Sequence, residues 1–492
     1  MISSNIKSLA SNTHSSEPIT SKRRSANYQR SIWGFDFVQS LNSDYKGEAY
    51  KSQTKKLEDE VRLRLDDGAM EQLGLLELID DIERLGLRYL FEENIKKALD
   101  TIVCLEDIEK RTKESLHATA LRFRLLRQHG YEMNQGMFNH LKDETGNFKA
   151  SYLKDAKGIL SLYEASHLAV EGESILEEAK HFTRIALKEI NNNREPKLAK
   201  QVNHALELPL HWRVPRLEAR WYIDIYEKQE NSIPSLIKLA KLDFNIVQAI
   251  HQENVADLSR WDITAMEQLP DYMKICFLAL FNTVNEMAYF HLKQHGFDTI
   301  PSLKKVWIDL CKAYLVEAKW YYKGHKTTLE EYLNNAVISI GCNVILIHSF
   351  FSLQQNIREE ALDYISENPS ILHLSSMIVR LADDLGTSVG ELERGDVLKS
   401  IQSYMHQTGA SEGAAREHIS HMIDETWKKI NKEILANNYF LLPQPFIETT
   451  ANLARMSVCT YQHGDGYGAI DDDGKNRVKS LLFEPIPLLK DT

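Results

Sequence analysis

From about residue 50 onward, apolar side chains recur at three- and four-residue steps, the pattern of amphipathic helices. In 72–95, Leu75, Leu78, Ile79, Ile82 and Leu85 form one such face. Comparable runs at 112–130, 151–167, 172–190, 231–253, 270–294 and 301–322 predict a helix in each. No strand–turn–strand series interrupts them, and no internal repeat recurs. Glycine and proline are sparse. Prolines stand at junctions such as Pro209, Pro215, Pro270, Pro301, Pro369, Pro443 and Pro445, where helices start or stop. The pattern predicts an all-α fold.

A 492-residue chain exceeds one ordinary core and fits two domains of about 200–250 residues. The natural division lies near 209–222, where Pro209 and Pro215 break the helical pattern. Trp212 and Trp221 are placed there to pack at a seam between domains. A 43% hydrophobic content supports folding. The net charge of −11 comes with no basic stripe carrying interleaved aromatics, so nucleic acid is not an expected partner. No uninterrupted apolar run approaches about 18 residues, so no membrane span is expected. Cys104, Cys276, Cys311, Cys342 and Cys459 stand singly, which predicts reduced, buried thiols and neither a disulfide framework nor a zinc site. The first 22 residues hold seven serines, with Lys7 and Lys22 against Glu17. That composition fits a short organellar transit peptide and fits an unstructured tail equally well.

The chemistry concentrates in Arg380–Lys399, RLADDLGTSVGELERGDVLK. Asp383, Thr387 and Glu391 recur every fourth residue. On a helix each such step drifts only about 40° around the axis and rises about 6 Å, so three oxygens line one wall. Carboxylate, hydroxyl and carboxylate make a hard-oxygen set suited to Mg2+ or Mn2+. Arg380, one turn earlier, can meet a phosphate bidentately, and Lys399 follows after the break at Gly395. A solvated acidic helix face is the alternative reading of this spacing.

The stretch resembles the second metal motif of plant class I terpene synthases, (N/D)D(L/I/V)x(S/T)xxxE, matched by Asp383, Asp384, Leu385, Gly386, Thr387 and Glu391. The resemblance implies that Asp383, Thr387 and Glu391 ligate one magnesium, that Arg380 and Lys399 grip a diphosphate, and that Asp384 is not a ligand. Arg23, Arg24 and Trp33 match the RR-x8-W element of the monoterpene synthases, where it caps the active site. That tilts the implied substrate toward geranyl diphosphate rather than a larger prenyl diphosphate. Residues 206–223 and 461–468 (YQHGDGYG) are similar to further family landmarks. The second resembles the loop closing the active-site mouth, with Asp465 and Tyr467 as weaker cavity candidates. Tyr461, Trp320 and Tyr321 are aromatic candidates for steering a carbocation. In the N-terminal half, Leu78-Ile79-Asp80-Asp81 lacks the first aspartate of a protonating DxDD, so that half resembles a non-catalytic relict.

The implied protein is a magnesium-dependent carbon–oxygen lyase of isoprenoid biosynthesis, a monomer, located in the plastid or alternatively in the cytoplasm. Its expected domains are a tail at 1–22, an α-barrel-like N-terminal domain at 23–215 and a class I metal-binding α-bundle at 216–492. One family element is missing from the sequence. Asp66-Asp67, Asp80-Asp81, Asp383-Asp384 and Asp471–Asp473 all fail to complete the aspartate-rich DDxxD motif that holds two further ions. Leu258-Ser259-Arg260 runs directly into Trp261-Asp262-Ile263, and both flanks keep family register. The resemblance therefore implies an internal omission of roughly 70 residues after 260, two or three long helices. Its expected consequences are uncovered apolar helix faces and weak or absent ionisation, which leaves a truncated, inactive isoform as the alternative to a working synthase.

Overall fold

The computed structural model describes residues 32–488, apart from 35–36, 39, 46–47, 105–114, 192–195, 259–270, 297, 354–358, 394 and 437–441. Among the described residues the chain is helical, and a single antiparallel bridge between Lys142 and Phe148 is its only extended pairing. The N-terminal half comprises α1 (Glu48–Leu65), α2 (Gln72–Arg84), α3 (Glu92–Cys104), α4 (Leu116–Gln128), α5 (Ala156–Ser166), α6 (Ser174–Asn191) and α7 (Pro196–Glu207). After them come α8 (Pro215–Tyr226) and α9 (Pro234–Leu258). The C-terminal half comprises α10 (Asp271–His295), α11 (Ile300–Lys323), α12 (Leu329–Ser339), α13 (Cys342–Leu353), α14 (Glu359–Ser366), α15 (Ser370–Glu393), α16 (Ser400–Thr408), α17 (Glu412–Leu435), α18 (Gln444–Tyr461) and α19 (Asp472–Leu482).

Local chemistry sets many of these boundaries. Ser115, Asp155, Thr328 and Ser411 each accept a backbone N–H from the first turn of α4, α5, α12 and α17. Gly324 and Gly409 close α11 and α16 in the left-handed region. The continuous helix expected over 72–95 is corrected here. It stops at Arg84, passes through Gly86 at φ 77°, and restarts as α3. The φ and the tight space both demand glycine, because a Cβ at Gly86 would sit 3.0 Å from the Ala219 Cβ.

Four apolar cores result. The first joins α1–α4 to Tyr222–Phe244 on α8 and α9, and Ile486 from the C-terminal segment completes it. The second lies among α4–α7. The third and fourth fill the C-terminal half, with α15 contributing to both. Trp212 stacks on Trp427 at 5.8 Å, and His211 hydrogen-bonds Asn431 at 2.7 Å, so this stretch packs against α17. Trp221 instead stacks on His204 at 3.5 Å, within the N-terminal half.

Two expectations need adjustment. Cys342 is buried, but Cys104 and Cys311 are exposed, because both stand on outward helix faces. Leu329–Leu353 is long and apolar enough to cross a bilayer by composition. Gly341, at φ 81°, breaks it into α12 and α13, whose Tyr332, Leu346, Phe350 and Phe351 are core residues. Large apolar side chains stand exposed on the helices that follow residue 270: Tyr289 on α10, Tyr314 and Leu315 on α11, and Ile345 on α13 are each more than half exposed.

Candidate metal and diphosphate site

Helix α15 carries Arg380, Asp383, Asp384, Thr387 and Glu391, and packs between α17, α18 and α12. Asp384 is fully buried and organises the helix rather than facing a ligand. It accepts the Tyr332 hydroxyl at 3.0 Å, the Ser400 backbone N–H at 3.0 Å and an Arg380 nitrogen at 3.3 Å. Those bonds tie α12, α15 and the start of α16 together, in keeping with an acid that is not a metal ligand.

The other two carboxylates are paired with the two cations. Arg380 Nη1 meets Asp383 Oδ2 at 3.0 Å, while its Nε donates to the Ala336 carbonyl. Burial pushes the Asp383 carboxyl up to about 6, against the pull of Arg380 and a hydrogen bond from the Tyr461 hydroxyl. Burial also works against charge on Arg380, but Tyr332, Asp384 and Asp383 outweigh it and the guanidinium stays charged. After α15, Gly395 at φ 67° turns the chain back so that the Lys399 ammonium lies 3.4 Å from Glu391 Oε1. Burial would lower the Lys399 pKa, yet Glu391 leaves it raised overall.

Thr387 Oγ1 donates to the Asp383 carbonyl at 2.9 Å, which leaves its lone pairs available as acceptors. Glu391 Oε2 is buried and has no donor among the described residues. A buried carboxylate oxygen without a partner is costly, and a cation relieves it. Asp383, Thr387 and Glu391 thus fit one hard divalent ion. Among the described residues no group of three or more His, Cys, Asp or Glu side chains could hold a metal.

The remaining candidates divide. Gly386 lets the 461–464 segment lie directly on α15: a Cβ there would be 2.8 Å from the Gly464 carbonyl oxygen and 3.0 Å from the Tyr461 Cβ. Asp465 accepts the backbone N–H of Tyr467 at 3.1 Å and Gly468 at 2.6 Å, so it shapes that loop from within. Tyr467 is 83% exposed. Trp33 packs on Phe483 at 4.9 Å, near the end of α19. Arg23 and Arg24 lie outside the described residues, as does the Arg260–Trp261 junction.

Two contributors were not legible in the sequence. Tyr461 was a loose aromatic candidate, but its role here is polar, through Asp383. Glu317, on α11, accepts from Ser339 and Asn335, and its charge acts on both Arg380 and Lys399. Tyr314, one turn earlier on α11, feels Arg380 and Lys399 too, and it is 53% exposed.

The family model described as "Terpene synthase, N-terminal domain" matches residues 32–206, and "Terpene synthase family, metal binding domain" matches 253–429. The chain is 47% identical to a chloroplastic myrcene synthase of Quercus ilex, with 95% of this chain and 91% of that one covered. Among solved structures, a limonene synthase with 2-fluorolinalyl diphosphate superposes with a TM-score of 0.88 at 35% identity, covering 94% of this chain and 100% of that one. Isoprene synthase from grey poplar (Populus x canescens), in complex with three Mg2+ ions and dimethylallyl-S-thiolodiphosphate, gives 0.82 at 41% identity, over 92% and 99% of the two chains.

Proposed function

The chain belongs to the plant class I terpene synthases, and on that premise we propose that it is a monoterpene synthase acting on geranyl diphosphate. Its reaction is that of a carbon–oxygen lyase: with Mg2+ it ionises a prenyl diphosphate, releases diphosphate and converts the cation to a cyclic or acyclic monoterpene. The observation that carries the site assignment is the buried, unmatched Glu391 Oε2 beside Lys399 on the same helix wall as Asp383 and Thr387.

Asp383, Thr387 and Glu391 would hold the ion. Bound there, Mg2+ supplies positive charge to the oxygens of the leaving diphosphate. Arg380 and Lys399 bind the phosphate oxygens, exchanging their present carboxylate partners for the substrate. Tyr461 and Asp384 hold the two ends of the cluster in place, and Glu317 keeps the cationic pair oriented from α11. By the family resemblance, Trp33, Arg23 and Arg24 would cap the site, and the loop shaped by Asp465 and carrying Tyr467 would close its mouth. A relict, α-barrel-like N-terminal domain (23–215) supports the catalytic domain (216–492). The chloroplastic location of the oak myrcene synthase supports a plastid location, with residues 1–22 as a transit peptide.

The catalytic domain is, in this reading, incomplete. The alignment with the oak enzyme runs over 544 residues, whereas 95% of this 492-residue chain is about 467, so the relative carries about 77 positions with no counterpart here. Exposed apolar residues on α10, α11 and α13 support an omission next to α10. With one ion-binding set in place, turnover is slow.

The test is an assay of the purified chain with geranyl and farnesyl diphosphates, with Mg2+ or with EDTA, reading volatile products by gas chromatography. Monoterpenes from geranyl diphosphate in the Mg2+ arm alone are expected. Preference for farnesyl diphosphate would overturn the substrate assignment.

A further inference from the structure

A further feature lies away from α15. A cavity of about 410 Å3 sits at the seam where the turn after α2, the end of α4 and the 210–216 linker meet α17 and α18. Part of its wall is apolar, with Leu168, Leu210, Val247 and Ile447 among the lining side chains. The rest is rich in arginine.

All but one of those arginines meets a carboxylate. Arg84 meets Glu218 at 2.8 Å, Arg88 meets Glu448 at 3.2 Å and Arg216 meets Asp243 at 2.9 Å, and the three others are paired in the same way. Arg455 is the exception. Its Nε donates to the His211 carbonyl at 2.7 Å and its Nη1 to Asn452 Oδ1 at 2.7 Å, both neutral acceptors. His211 offers no compensation, since burial and the Arg455 charge push its pKa down to about 3 and leave it neutral. Burial likewise lowers the Arg455 pKa to about 10, against the pull of Glu448 and with a smaller push from Arg88. Gln444 Oε1, also on the wall, is a buried acceptor with no donor among the described residues. The cavity thus sets a cation with no carboxylate ion pair among the described residues beside an apolar surface, and an anion would complete its pairing.

We propose that this interdomain cavity binds an amphiphilic phosphate ester, with the anionic group on Arg455 and the hydrocarbon part against Leu168, Leu210, Val247 and Ile447. The site is separate from the α15 cluster and takes its ligand without a metal. Because it bridges both halves of the molecule, its occupant stiffens the seam.

The probe is geranyl monophosphate, titrated into the full chain by calorimetry in EDTA, where metal-dependent binding at α15 is silent. Saturable binding is expected, weakened about tenfold or more by Arg455→Met, largely retained by Arg455→Lys, and unchanged by Arg380→Met. Arg455 also clamps the linker through His211, so the wild-type chain supplies a second readout. Bound ester slows hydrogen exchange in 84–92 and 444–455 and leaves 383–391 unaffected. Equal affinity in wild type and Arg455→Met, loss of binding with Arg380→Met, protection confined to α15, or no binding would each overturn the proposal. Inorganic phosphate binding as tightly as the ester would overturn the amphiphile assignment.

Discussion

Arg380 and Lys399 each neutralise a carboxylate of the set that would hold a metal, so the cluster is internally charge-paired. Removing one ligating carboxylate leaves its cation unpaired and removes a ligand together. Asp383→Ala and Glu391→Ala are therefore each expected to weaken Mn2+ binding about tenfold or more, read by electron paramagnetic resonance titration. Asp384→Asn, by contrast, is expected to lower the melting temperature through the loss of charge beside Arg380. A second residue-scale prediction concerns Asp81, whose carboxyl is pushed up to about 7 by burial, against the hydrogen bond it accepts from Tyr222 at 2.6 Å. An acid whose folded pKa exceeds its unfolded value binds more protons when folded, so stability falls as pH rises from about 4 to about 7. Asp81→Asn is expected to raise the urea midpoint at pH 8 and to change it little at pH 4. At this scale the sequence revealed what lies on one helix. Asp383, Thr387 and Glu391 share a face by period alone, whereas Tyr461 and Glu317 reach the cluster from other helices, which spacing cannot encode.

At the scale of elements, α15 works because a loop can lie against it. Gly386→Ala would drive a Cβ into the Gly464 carbonyl oxygen, which is backbone and yields little. It is expected to destabilise the chain by about 1–3 kcal/mol and to displace the 461–468 loop, measured by thermal unfolding and by hydrogen exchange in that loop. Helices were the most legible elements. The runs expected at 231–253, 270–294 and 301–322 became α9, α10 and α11 with ends shifted by up to a few residues, because long amphipathic periods leave little ambiguity. The run over 72–95 failed for an equally physical reason. Its apolar period continues through Gly86, but only tertiary contact with Ala219 reveals that the backbone must turn there. Cysteine burial was misjudged at Cys104 and Cys311 because residue type says nothing about which face of a helix is covered.

For the whole molecule, the decisive feature is what α10, α11 and α13 leave uncovered. Tyr289, Tyr314, Leu315 and Ile345 form apolar faces of the kind that neighbouring helices ordinarily bury. Inserting, at the omission proposed between Arg260 and Trp261, the additional positions that the oak relative carries is expected to reduce binding of a hydrophobic dye to the chain. It is also expected to raise turnover by about a hundredfold or more, through the added ion-binding carboxylates. The all-helical, two-domain plan was legible from periodicity and the proline-broken linker. The interdomain cavity was not, because its arginines are scattered over the length of the chain. The measurement that bears most directly on the site is the rate of diphosphate release from geranyl diphosphate, compared between the chain as it stands and Glu391→Gln. The expected result is slow, Mg2+-dependent release that the substitution lowers about tenfold or more. Release that needs no Mg2+, or that proceeds equally fast in both proteins, would contradict the assignment of Asp383, Thr387 and Glu391 as the ion's ligands.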